Sequence, residues 1–158
     1  MKRINDTQFQ AFRSRVEQHR RMNGYYIIDV VSISEMREAG LSDEEIMDAL
    51  TDLWDDEPAD REFSVPSNQM WADYRVEFAE ARTHTIEALV GGRDVGHTRD
   101  TLPDGVAGEC FDQFLALFDD MPKLYIRLGI GNSQYVFNRG VVAVGESKAG
   151  ILWVVEGD

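Results

Sequence analysis

Three groups of residues carry side chains able to do chemistry, and their spacing says what that chemistry would be. Cys110 is the one cysteine of the chain. With His97 as a base it would make a thiolate nucleophile, the more so if a helix began there and lowered its pKa. Set among Val106, Phe111 and Phe114, however, a lone cysteine reads first as a small core residue. The polar stretch GGRDVGHTRDTLPDG (91–105) gathers Arg93, Asp94, His97, Arg99, Asp100 and Asp104. Such a loop either builds a small binding site or runs as a solvated connection, and the second is the commoner outcome. Glu77, Glu80, His84 and Glu87 would line one side of a helix and could approach a metal. A di-iron bundle needs Glu-x-x-His from two helices, and neither that, nor H-E-x-x-H, nor a Cys/His cluster occurs. Gly129-x-Gly131 leads into no helix, and no G-x-S-x-G or P-loop is present. The sequence therefore predicts no metal and no cofactor, and it names no catalytic centre.

The most unusual feature is electrostatic. Between Asp43 and Asp60 stand nine carboxylates and no basic residue. Ser42 and Glu45 have the spacing of a capping box, so a helix is expected from there to about Trp54, with Pro58 beyond its end. Ile46, Leu50, Leu53 and Trp54 share one arc, while Glu44, Glu45, Asp48, Asp52 and Asp55 share the other. Asp43, Glu44 and Glu45 suit the positive end of the helix dipole. Asp55, Asp56 and Glu57 crowd the negative end, where anions are disfavoured. Glu44–Asp48, Asp48–Asp52 and Asp52–Asp56 are like-charge pairs one turn apart, together costing roughly 1 kcal/mol. Helix stability alone would not select this pattern. It is either a solvated acidic face, or a face answered by Arg13, Arg15, Arg20 and Arg21 of the first helix, or a ridge that docks on a basic partner.

The order ISEMREAGLSDEEIMDAL (33–50) resembles the helix-turn-helix of DNA-binding regulators: short helix, Gly turn, second helix. A recognition helix must meet phosphates and base edges with Arg, Lys, Asn or Gln. This one would offer Glu44, Glu45 and Asp48, so direct nucleic-acid binding is not expected.

The whole chain points the same way. Its 158 residues carry a net charge of −13, with only three lysines, Lys2, Lys123 and Lys148. A field of that sign repels nucleic acid and anionic membranes. The charge is uneven, since residues 1–24 are net +4. The charged N-terminus has no signal-peptide core, no apolar run is long enough to span a membrane, and one cysteine permits no internal disulfide. A cytoplasmic protein is expected.

The elements that must position these residues follow from periodicity. A basic amphipathic helix is predicted from Asp6 or Thr7 to Asn23, with Phe9, Phe12, Val16 and His19 inward. YYIIDVVSI (25–33) favours a strand, although a helix also fits. A short helix should start at Ser32 or Ser34 and reach Glu38 or Ala39. A long helix is expected from Pro66 to Val90, striped by Trp71, Tyr74, Phe78, Ala81, Thr85 and Leu89. Another follows with Val106, Cys110, Phe111, Phe114, Leu115 and Phe118 inward. KLYIRLGIG, QYVFNRGVVAVG and GILWVVEG read as three strands with turns at Asn132–Ser133 and Glu146–Gly150. Alternation in Leu124/Ile126/Leu128/Ile130 predicts one wet face. ILWVV (151–155) must be covered on both faces, so 25–31 is expected to pair beside it.

The expectation is one α+β domain, residues 1–158: mainly helical over 1–121, a β meander over 123–156, four to five helices and a C-terminal three-stranded antiparallel sheet joined by the strand near 25–31. The predicted function is a small acidic, non-enzymatic binding protein of the inhibitor type, resembling in composition an immunity protein or a phage anti-defence protein that mimics nucleic acid. Its partner would be a basic protein surface, of a toxin or a nucleic-acid-binding protein. The residues expected to bind are Glu44, Glu45, Asp48, Asp52, Asp55, Asp56 and Glu57. Two alternatives stay open: a small enzyme using Arg93, His97, Arg99 and Cys110, and a structural or assembly subunit.

Overall fold

Ile151–Val155 is apolar at every position, so neither of its faces can be left to water. It forms the middle of β8 (Lys148–Glu156), which lies between two antiparallel partners. On one side is β2 (Gly24–Ser32), in register from Gly24↔Glu156 to Ser32↔Lys148. On the other is β7 (Phe137–Val144), from Phe137↔Glu156 to Val144↔Ala149. The structure is a computed structural model that describes residues 1–18, 24–55, 63–64, 70–91, 102–130 and 137–156.

The N-terminal segment thus closes onto the C-terminal strands, as the two-faced run requires. The sheet is larger than three strands plus one. It has six, adding β1 (Lys2–Arg3), β4 (Arg75–Val76) and β5 (Lys123–Tyr125) in the order β1-β2-β8-β7-β5-β4. A separate pair joins β3 (Phe63–Ser64) to β6 (Gly129–Ile130).

Alternate residues along the central strands feed two cores. Val30, Val141, Ala143, Leu152 and Val154 pack with α1 (Thr7–Glu17), α4 (Phe78–Val90) and α5 (Asp104–Ala116). Val31, Val142, Ile151, Trp153 and Val155 pack with α3 (Asp43–Asp55), assisted by Met36 from α2 (Ser34–Glu38). Each fully buried large side chain contributes roughly 1.5–3 kcal/mol. A Cβ at Gly150 would lie 3.1 Å from both Phe114 and Val30, so glycine there lets α5 settle against the sheet.

Two expected elements are divided. The stripe assigned to a helix from Pro66 to Val90 belongs to both cores: Trp71 is buried in one, and Ala81 and Leu89 in the other. A straight helix cannot reach both faces of a sheet. The chain instead makes a single 3₁₀ turn (Trp71–Tyr74), crosses the sheet edge as β4, and only then starts α4. KLYIRLGIG likewise divides at Arg127, which has φ 57, the left-handed region that a side chain enters at a cost. Beyond it Leu128 joins the core opposite to that of Leu124 and Ile126, and Tyr125 is buried too. The expected wet face is absent because helices cover both sides.

The first helix is described to Glu17, with Phe9, Phe12 and Val16 buried and Asp6 accepting from Phe9 N at its start. His19 and the rest of that predicted helix lie outside the described residues, as does the Asn132–Ser133 turn.

Candidate functional site

The acidic helix forms because its first turn is tied down. Ser42 Oγ accepts from Glu45 N at 3.2 Å, and Glu45 Oε1 accepts from Ser42 N at 3.1 Å. This reciprocal cap satisfies two backbone donors that a helix start otherwise exposes. The backbone bond from Ser42, with the Ser42 hydroxyl, holds the Glu45 carboxyl below its ordinary range. Burial pushes the Asp43 carboxyl up, but hydrogen bonds from Lys123 and Arg37 outweigh it and hold the group charged. Arg37 reaches Asp43 at 2.7 Å and also donates to the Gly145 carbonyl at 2.8 Å. The start of α3 is thereby fastened to α2, β5 and the β7–β8 turn.

Among the described residues the outer face of α3 divides into carboxylates that hold the chain and one that does not. Glu44 accepts from the backbone of Trp71 at 2.7 Å and of Ala72 at 3.0 Å, so it caps the 3₁₀ turn from outside. Asp48 accepts from Trp71 Nε1 at 2.8 Å. Together they clamp Trp71, a residue only 6% exposed that packs in the second core. Asp52 is exposed and makes no such bond among the described residues. Asp55 ends the helix, and Asp56 and Glu57 lie outside the described residues.

The described part of the first helix does not answer this face, and Arg20 and Arg21 lie outside the described residues. Arg13 pairs with Glu17 on its own helix, and Arg15 turns to Glu109 and Gln113 of α5. Other ion pairs among the described residues also lie elsewhere: Arg3–Asp29, Arg82–Asp112, Arg127–Glu80 and Lys148–Asp119. Among the described residues no cation forms a salt bridge with Glu45, Asp48 or Asp52.

The other chemical candidates are placed as follows. Cys110 is fully buried, two turns into α5 rather than at its N-terminus, and burial raises its thiol pKa. That is the environment of a small core residue, not of an activated nucleophile. Arg93, His97 and Arg99 lie outside the described residues. His84 is half-buried on α4, and burial, with Arg127 and Arg139, lowers its pKa while Glu87 and Glu80 oppose the shift. Among the described residues no group of three or more His, Cys, Asp or Glu is placed to hold a metal. No helix of the described residues is long and apolar enough to cross a membrane.

One polar cluster went unread in the sequence. Asp29, the only charge inside YYIIDVVSI, is 8% exposed and accepts from Trp54 Nε1 and Arg3 Nε, both at 3.1 Å. It joins β1, β2 and the end of α3 beside a cleft of about 460 Å³. Its signal was present: an acid in a β-branched run demands a partner when the strand is buried. No protein-family model matches the chain, and no curated protein or solved structure matches it either.

Proposed function

We propose that the protein acts by binding, docking the outer face of α3 onto a basic surface of a partner protein. The observation that supports this is the exposed line of Glu45, Asp48 and Asp52, which no described cation of the chain bridges. A chain of net charge −13 draws a cationic surface toward it from a distance, and a ridge of carboxylates then fixes the orientation. The partner class is a protein whose own basic surface serves nucleic acid or toxicity, with this protein as its inhibitor. Asp55, Asp56 and Glu57 extend the same anionic sequence beyond Asp52.

The clean test avoids Glu44 and Asp48 reversals, because both side chains hold Trp71. Asp52→Lys alone, and together with Asp55→Lys, is compared with the parent for affinity toward the protein that co-purifies, at low and high salt. The expected result is a loss of about tenfold or more, carried by the association rate and shrinking as salt rises. Equal affinity for parent and variants with a flat salt response would reject the docking face.

A further inference from the structure

We draw no further inference here: the strongest candidate, the cleft of about 460 Å³ between α1 and β2 beside Asp29, carries none, because the residues joining α1 to β2 and those following α3 lie outside the described residues and nothing in the structure shows what covers it.

Discussion

Replacing Glu44 with alanine should destabilise the fold, whereas replacing Asp52, two turns along the same acidic face, should not. Glu44 accepts two backbone hydrogen bonds, from Trp71 at 2.7 Å and Ala72 at 3.0 Å. Hydrogen bonds to a charged group contribute about 1.5–3 kcal/mol each, and the partial exposure of this site places the pair nearer the lower end. The Glu44→Ala loss is therefore about 2–3 kcal/mol, part of it through looser seating of Trp71. Asp48→Ala removes one bond to the Trp71 indole and should cost about 1–2 kcal/mol. Asp52 makes no such bond among the described residues, and its loss relieves the like-charge pair with Asp48, so the change stays within about 0.5 kcal/mol. Urea unfolding followed by tryptophan fluorescence separates these values. With a slope near 2 kcal/mol per molar, Glu44→Ala should lower the midpoint by roughly 1 M. Midpoints for Glu44→Ala and Asp52→Ala that agree within error would refute the division of the face into holding and outward carboxylates. The same variants order oppositely in partner binding if α3 docks: Asp52 then matters for affinity and not for stability.

Asp29→Ala should be costly for its size, about 2–3 kcal/mol in the same urea assay, because it leaves the buried Trp54 Nε1 donor without its acceptor. A loss below about 0.5 kcal/mol would show that water replaces the carboxylate freely. For His84, burial together with Arg127 and Arg139 lowers the folded-state pKa from its ordinary 6.5. The unfolded chain takes up the proton first, so stability rises with pH up to that value and falls below it as pH drops toward the folded pKa. His84→Gln should flatten this part of the stability–pH curve, and superimposable curves for variant and parent would rule out His84 as its source.

Short-range grammar made much of the architecture legible. Phe9, Phe12 and Val16 recur at helical spacing and are the buried face of α1. Ser42 and Glu45 are three residues apart and form the cap they imply. An apolar run at 151–155 has to be covered on both faces, which called for a partner strand, and β2 is that strand. These features depend on neighbours within one turn or one pleat, so spacing along the chain suffices to reveal them. Distances through space leave no such period. Trp71 and Ala81 look like one stripe, and only the presence of two cores on opposite sides of one sheet divides it. Glu44 and Asp48 read as outward charge because their partner, Trp71, stands more than twenty positions away. That a two-residue β1 meets a nine-residue β2 is likewise invisible along the chain, because the mismatch arises only when the strands pair. Pattern along the chain determined the elements and the sign of the field. Which carboxylates hold the fold and which face outward was decided by packing, because that depends on what each helix meets across the sheet.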